Sequence, residues 1–142
     1  ISFIAGNIFD LPIASSCADA FSVLFAPIPY KEALRVLRPG GCLLICSAAP
    51  DHLAELRQII YDDVITKETA VPAHESFTLG FRENIKYTVE LDAAELVSLF
   101  EMTPFRYRSR PDAAERVASH GKSRMTVSVM CNILIKKPNT FQ

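Results

Sequence analysis

The sequence predicts an α/β domain with a largely parallel sheet, and three observations lead to this class. The 142 residues are 49% hydrophobic and 22% charged, which is typical of one globular domain. Short apolar runs alternate with segments of helical spacing in the first half of the chain. One of those runs, residues 20–26, has the composition of a strand buried on both faces, as parallel sheets require. The net charge of -1 argues against a protein whose whole surface is a polycation.

Three apolar runs in the first half of the chain are predicted to be strands. They cover residues 1–5, 20–26 and 42–49. The middle run is bounded by Asp19 and Pro27, which are residues that end regular structure. Because helical segments separate the later strands, right-handed crossovers and parallel pairing are expected.

Two helices are predicted among these strands. Residues 30–37 have apolar side chains at helical spacing, and the Arg-Pro-Gly-Gly sequence at 38–41 ends that helix. Pro50 and Asp51 open a second helix, which is predicted to continue to about residue 65. Its apolar stripe consists of Leu53, Leu56, Ile60 and Val64.

The second half of the chain contains three further predicted elements. They are a half-exposed strand, a helix and a long final strand, over residues 84–91, 92–102 and 125–137. Asp92 and Glu95 have the spacing of a capping box at the start of the helix. Residues 66–80 interrupt the pattern, and a loop and a piece of helix both remain open there. Residues 106–124 are basic and irregular.

The cysteines and the apolar runs exclude two classes of protein. No two cysteines have the two-residue gap of a zinc or thioredoxin-like site, so no metal site is predicted. No apolar run approaches the roughly 20 residues that cross a bilayer, so a cytoplasmic protein without a membrane partner is expected. The cysteines, interpreted as reduced core thiols, are Cys17, Cys42, Cys46 and Cys131.

The most informative motif is Arg-Val-Leu-Arg-Pro-Gly-Gly at residues 35–41, which is followed at once by an apolar strand. Upstream, Gly-Asn-Ile-Phe-Asp-Leu-Pro at 6–12 and Cys-Ala-Asp-Ala-Phe at 17–21 complete a pattern that resembles Class I S-adenosylmethionine-dependent methyltransferases. The resemblance implies that the Pro-Gly-Gly turn is structural. It also implies that Asn7, where the family usually has Asp, and Ile8 contact the adenine ring. The alternative, that Asn7 only turns the chain, remains open.

A second set of motifs is more specific. Met-Thr-Pro-Phe at 102–105 is not shared by generic methyltransferases, and it accompanies Phe-Thr-Leu at 77–79 and Arg-Pro at 110–111. Over residues 1–111 the chain resembles the C-terminal half of the 23S ribosomal RNA guanine-N1 methyltransferases. This implies a partial Rossmann-like sheet with strands 3 to 7 of seven, in the family order 3-2-1-4-5-7-6, mostly parallel with an antiparallel last strand.

The same resemblance implies what residues 1–142 lack. Family members carry a zinc module and a glycine-rich loop for S-adenosylmethionine before the part that this chain matches. The chain is therefore expected to be the C-terminal portion of a methyltransferase domain. We expect it to hold a partial cofactor site and to be inactive alone.

Several residues acquire roles from the resemblance. Phe25, Ala26 and Pro27 follow the strand that borders the transferring methyl group, so the first two are predicted cofactor contacts and Pro27 a catalytic-site residue. Tyr30 can stack on a base, and His52 can bind RNA or assist removal of the guanine N1 proton. An aromatic residue that packs at the surface and an exposed histidine at a helix start are the open alternatives.

A basic segment suggests where RNA binds. Residues 104–124 contain six Lys and Arg against two acidic residues, a charge of +4 that leaves the rest of the chain near -5. Arginines beside aromatic side chains can contact phosphates and stack on unpaired bases, although they can also lie on the solvent face of a strand. The predicted contacts to a ribosomal RNA hairpin are Arg106, Tyr107, Arg108 and Arg110.

The sequence therefore predicts methyl transfer from S-adenosylmethionine to guanine N1 of 23S ribosomal RNA by the full-length protein. A non-catalytic methyltransferase-like binding module and a small-molecule methyltransferase are the alternatives. If strands 1 and 2 of the sheet are absent, the edge of the strand at 20–26 lacks a neighbour. A homodimer or a strand-swapped assembly through that edge is then expected.

Overall fold

The computed structural model describes residues 2–62 and 70–138, which contain four strands, four α-helices and one 3₁₀ helix. The strands are β1 (Ala18–Leu24), β2 (Leu37–Ala48), β3 (Phe77–Leu91) and β4 (Ser123–Lys136). The helices are α1 (Tyr30–Val36), α2 (Ala54–Ile60), α3 (Ala93–Met102), α4 (Ala113–His120) and the 3₁₀ helix Pro104–Tyr107.

The strands form a four-stranded sheet in the order β1-β2-β4-β3. β1 and β2 are parallel, with Ala20 opposite Cys42 and Leu24 opposite Cys46. The last strand in the chain therefore lies between β2 and β3, as in the 4-5-7-6 part of the expected strand order. The predicted α/β fold class is confirmed.

The chain divides into two compact units. Of the described residues, the first unit contains 2–47, 70–83 and 130–138, and the second contains 48–62 and 84–129. Buried apolar side chains form a separate core in each unit.

The core of the first unit joins α1 to the sheet. It consists of Val23, Ala33, Leu37, Leu43, Ile45, Phe77 and Leu134. Lys136 is also buried, and its Nζ donates to the backbone oxygens of Leu34 at 2.7 Å and Leu37 at 2.6 Å. The ammonium thus satisfies carbonyls at the end of α1 that have no partner within the helix.

The core of the second unit is mainly helical. It consists of Leu53, Leu56, Ile59, Ile60, Leu96, Phe100, Ala113, Val117 and Met125. The predicted capping box of α3 is confirmed, because the Glu95 N–H donates to Asp92 Oδ1 and the Asp92 N–H donates to Glu95 Oε2, both at 2.9 Å.

One strand prediction and one burial prediction are wrong. Residues 2–5 are exposed and are not a strand, because no described segment accepts their backbone hydrogen bonds in a ladder; Ile1 lies outside the described residues. β1 is not buried on both faces. Phe21 and Val23 turn towards the core, whereas Ala20, Ser22 and Leu24 on the opposite face are exposed.

Several element boundaries also differ from the prediction. The second helix is shorter at both ends, and Val64 lies outside the described residues. β3 begins at Phe77. Residues 70–76 therefore form a loop, which is one of the two structures left open for residues 66–80, and residues 66–69 lie outside the described residues. The basic segment is not wholly irregular, because it contains α4. That helix was missed because it buries only Ala113 and Val117, which leaves little helical periodicity.

Candidate cofactor and RNA sites

The segment before β1 begins with a tight turn at Asn7. The Phe9 N–H donates to Asn7 Oδ1 and the Asp10 N–H donates to the Asn7 backbone oxygen, both at 3.0 Å. Asn7 therefore turns the chain, as one interpretation proposed. Its side-chain oxygen has a second lone pair, so this geometry leaves a contact to an adenine amine chemically open.

A small apolar cleft brings three predicted site residues together. Ile8, Ala26 and Pro27 line it with Leu11, Phe21, Ser22, Val23, Leu24 and Pro29, and its volume is about 160 Å³. Such mainly apolar walls suit an uncharged group. The cleft lies in the first unit, where the chain leaves β1.

Phe25 lies in the same connection and has an unusual backbone. Its φ is 51°, in the left-handed region that bulky residues rarely adopt, and its N–H donates to the Cys46 backbone oxygen at 2.9 Å. The side chain is 59% exposed. This conformation costs about 1 kcal/mol, and such strain is concentrated at functional sites.

Tyr30 packs against other aromatic side chains in the first unit. Its ring is stacked on His74 at a centroid distance of 4.9 Å, and the Phe77 ring centroid is 6.2 Å away. Burial raises the pKa of Tyr30 above its usual value. These contacts agree with the alternative that Tyr30 is an aromatic residue packed at the surface. A base could stack only on the exposed part of this half-buried ring.

His52 follows β2 and belongs to the second unit. Its Nδ1 accepts from the Ser128 N–H at 3.2 Å, and burial lowers the pKa of His52. The neutral ring therefore carries its proton on Nε2 and is a hydrogen-bond donor there. In this tautomer Nε2 cannot accept a proton from a substrate.

Polar side chains that the sequence analysis did not single out surround His52. Lys86 Nζ lies 2.6 Å from Asp51 Oδ2, and the hydrogen bond from Lys86 lowers the pKa of Asp51 to about 2. The Ser128 hydroxyl donates to Asn84 Oδ1 at 3.1 Å. The sequence feature that could have indicated this group is the pair of polar residues at positions 84 and 86, which lie on the same face of a strand.

Three predicted RNA contacts carry a positive charge, but their surroundings differ. Arg106 pairs with Glu101, and its guanidinium lies 5.9 Å from the Tyr107 ring centroid. Arg110 pairs with Asp62 and with Asp112. Arg108 is exposed, and within residues 2–62 and 70–138 no carboxylate pairs with it.

The other basic residues of segment 104–124 also have acidic partners. Arg116 lies 3.2 Å from Asp62, and Glu90 accepts from Lys122 at 2.8 Å and from Arg124 at 3.5 Å. Asp62, Glu90 and Glu101 come from outside the segment, so including these three carboxylates reduces its charge from +4 to +1.

Two further properties concern the described part of the chain only. It contains no group of three or more His, Cys, Asp or Glu that could hold a metal ion. None of its helices is long and apolar enough to cross a membrane.

Comparison with known proteins identifies relatives of the chain, although no family model matches it. It is 32% identical over 128 residues to the 23S rRNA (guanine(748)-N(1))-methyltransferase of Streptomyces fradiae, covering 84% of this chain and 45% of that protein. It is 28% identical over 116 residues to YxjB of Bacillus subtilis strain 168, which is named for the same class of reaction, covering 78% of this chain and 41% of YxjB. The chain thus spans less than half the length of both.

A solved structure shares the fold. The YcgJ protein of Bacillus subtilis superposes with a TM-score of 0.51 over 94% of this chain and 70% of YcgJ, at 12% sequence identity. At that identity the likeness concerns the fold alone. The resemblance found in the sequence motifs is confirmed by these relatives, and the chain belongs to the family of 23S ribosomal RNA guanine-N1 methyltransferases.

Proposed function

We propose that the full-length protein transfers a methyl group from S-adenosylmethionine to guanine N1 of large-subunit ribosomal RNA. The observation that carries this proposal is the 32% identity, over 128 residues, to a relative named for that reaction. The proposal concerns the class of reaction and leaves the target guanine open, since position 748 belongs to the name of the relative.

The first unit is the proposed place for the adenosyl part of the cofactor. Ile8, Ala26 and Pro27 already form an apolar cleft, and Asn7 offers a carbonyl oxygen to an exocyclic amine. Phe25 adds a half-exposed ring on a strained backbone. Ligands of open α/β sheets bind outside the carboxyl ends of strands, which is where the 25–27 connection follows β1. When bound, the cofactor would supply an electrophilic methyl group.

The chemistry requires alignment and loss of a proton. Guanine N1 would bond to the methyl carbon as the bond between that carbon and the donor sulfur breaks, and N1 would lose its proton to water. The protein must therefore hold the base in line with the donor. We propose that the Nε2–H of His52 donates a hydrogen bond to the RNA, because Nδ1 already accepts one from the Ser128 N–H. Pro27 and Tyr30 remain proposed contacts to the reacting base, Tyr30 by stacking.

The RNA contact is proposed for the 3₁₀ helix and the residues after it. Tyr107 is 83% exposed and can stack on an unpaired base. Arg108 can bind a phosphate without first leaving a carboxylate of the described residues. Arg106 and Arg110 would first have to exchange Glu101, Asp62 or Asp112 for a phosphate.

The decisive experiment is methyl transfer by the full-length protein to 23S ribosomal RNA that lacks the modification. N1-methylguanine cannot form its Watson–Crick pair, so primer extension should stop at one guanine when S-adenosylmethionine is present. Omission of the cofactor is the control. A folded, cofactor-bound protein that produces no stop would contradict the proposal.

The edge of β1 is the proposed place for a further strand. β1 ends the strand order, and Leu24, at its last position, is 59% exposed. Unpaired edges attract additional strands, so we propose pairing with a second copy. Sedimentation of the chain of residues 1–142, in which β1 is the edge of the described sheet, tests this, and a strict monomer at micromolar concentration would contradict it.

A further inference from the structure

We infer that Glu32 and Arg35 of α1 are the positioning residues of the proposed adenosyl site. Together they fasten the segment that follows Asn7 and Ile8 to α1. This inference rests on the proposed function, because it assigns these two residues a role in cofactor affinity beyond a role in folding.

Arg35 uses all five of its guanidinium N–H groups. Nε donates to Glu32 Oε2 at 3.0 Å, and Nη2 donates to Glu32 Oε1 at 2.6 Å and to the Leu11 backbone oxygen at 3.0 Å. Nη1 donates to the Ile13 backbone oxygen at 2.8 Å and to Ser15 Oγ at 3.2 Å. A guanidinium has five such donors in a fixed fork, so three of them are committed to one loop.

Glu32 contributes a second attachment to the same loop. Its side chain is 6% exposed, and Oε1 also accepts from the Leu11 N–H at 2.7 Å. Leu11 is therefore held at both its N–H and its carbonyl oxygen. Hydrogen bonds from Arg35 and from Leu11 lower the pKa of Glu32 to about 2, so the buried carboxylate stays charged throughout the usual pH range.

The attached loop leads directly into the proposed adenosyl site. Leu11 lines the same cleft as Ile8, Ala26 and Pro27. The hydrogen bonds of the Asn7 turn are local, within residues 7–10, so they do not fix where that turn lies on the first unit. Its position is set by the neighbouring attachment of residues 11–15 to α1. If the attachment were lost, cofactor binding would have to order the segment.

Two substitutions weaken the attachment in different ways. Arg35→Lys keeps the positive charge but loses the fork that reaches Leu11, Ile13 and Ser15 together. Glu32→Gln keeps the shape of the side chain and removes its charge. The matched control is Asp19→Asn, which breaks the ion pair of Asp19 with Arg38 (2.8 Å) in the same unit, where Asp19 is 83% exposed. No hydrogen bond of that pair reaches residues 11–15. Arg38 Nε also donates to the Ser16 backbone oxygen at 3.4 Å, and Asp19→Asn leaves both of those groups in place.

The test measures binding of S-adenosylmethionine and of adenosine to the full-length protein by calorimetry, with KM values for cofactor and RNA. We expect both α1 variants to raise the Kd of S-adenosylmethionine about tenfold, the equivalent of ordering roughly one residue. The same variants should bind adenosine more weakly by a similar factor. Their KM for RNA and their kcat at saturating cofactor should be unchanged, and Asp19→Asn should bind S-adenosylmethionine as tightly as the unmodified protein.

Three results separate the possible failures. Folded α1 variants that bind S-adenosylmethionine as tightly as the unmodified protein would overturn the inference, as would an equal rise in the RNA KM. An unmodified protein that binds no cofactor would overturn the proposed function itself. If an α1 variant does not fold, Ser15→Ala removes a single hydrogen bond of Arg35 and should still weaken cofactor binding about twofold.

Discussion

Arg108 and Arg110 are two residues apart and carry the same charge, yet we expect them to contribute unequally to RNA binding. Arg110 already pairs with Asp62 and Asp112, whereas Arg108 is exposed and pairs with no carboxylate of the described residues. A phosphate that contacts Arg110 must compete with two carboxylates. A phosphate that contacts Arg108 displaces only water and counterions.

The charges around the two arginines determine how much each substitution should change the RNA affinity and its salt dependence. For single-stranded nucleic acids, each neutralised phosphate contributes about -0.7 to the slope of log K against log salt concentration. Arg108→Ala should therefore make the slope shallower by about 0.7. It should weaken binding near 0.1 M salt about fivefold, or roughly 1 kcal/mol for an exposed contact. Arg110→Ala should change the slope by much less, because Asp62 and Asp112 already offset its charge.

Fluorescence anisotropy with a labelled ribosomal RNA hairpin and the full-length protein provides the assay. The affinity is measured between about 50 and 300 mM KCl, a range in which salt screening changes strongly. Arg108→Lys is the matched control, because it keeps a point charge and should preserve the slope. Equal slopes for Arg108→Ala and Arg110→Ala, or a larger loss for Arg110→Ala, would refute the reasoning that the ion pairs decide these contributions.

Three further predictions concern the folded protein. Hydrogen bonding to Lys86 lowers the pKa of Asp51 from 3.8 to about 2, so the pair stabilises the fold above pH 4 and is lost as the pH falls towards 2. Lys86→Met should cost about 1 kcal/mol in urea unfolding at pH 6 and less near pH 2, and a pH-independent loss would contradict this. Burial raises the pKa of the Cys46 thiol to about 11, so only about a thousandth is thiolate at pH 8. Cys17 is exposed, so its prediction as a core thiol is wrong. Mass spectrometry should therefore find iodoacetamide on Cys17 well before Cys46, and equal rates would exclude the burial argument. Asp92→Ala removes the α3 capping box and should lower the unfolding free energy by about 1 kcal/mol, so an unchanged urea midpoint would count against it.

Features that depend on neighbours in the sequence were predictable. The capping box of α3 requires only Asp92 and a glutamate three residues later, and both hydrogen bonds are present. The helix after the first sheet strand was predicted from residue 30 and begins at Tyr30. The strand order followed from family resemblance, because a chain of alternating elements does not by itself place the last strand between two earlier ones.

Features that depend on distant residues were not predictable. The first part of β3, from Phe77, carries no burial alternation, because the residues from Thr78 to Thr88 are exposed. The charge of segment 104–124 was counted as +4, since nothing in its own residues shows that Asp62 and Glu90 pair with it. Resemblance assigned Ile8 and Ala26 to the cofactor and Pro27 to the catalytic site. The three residues line one cleft, and their roles stay predictions.

The motif that indicated the family has a structural role, and none of its residues lines the proposed cofactor cleft. In the Arg-Val-Leu-Arg-Pro-Gly-Gly sequence at 35–41, residues 38–41 were expected to form a turn before a strand, but they belong to the first part of β2, where Gly40 has a φ of 77°. The first residue of the motif, Arg35, has a different role, because it donates hydrogen bonds to the loop that follows the proposed adenine contacts Asn7 and Ile8. Gly41 has a comparable role, since a Cβ there would lie 3.1 Å from the backbone oxygen of Asp19 at the start of β1. Arg35 and Gly41 therefore constrain residues 11–15 and the start of β1, two segments that lead into the proposed cofactor cleft, although neither residue lines it.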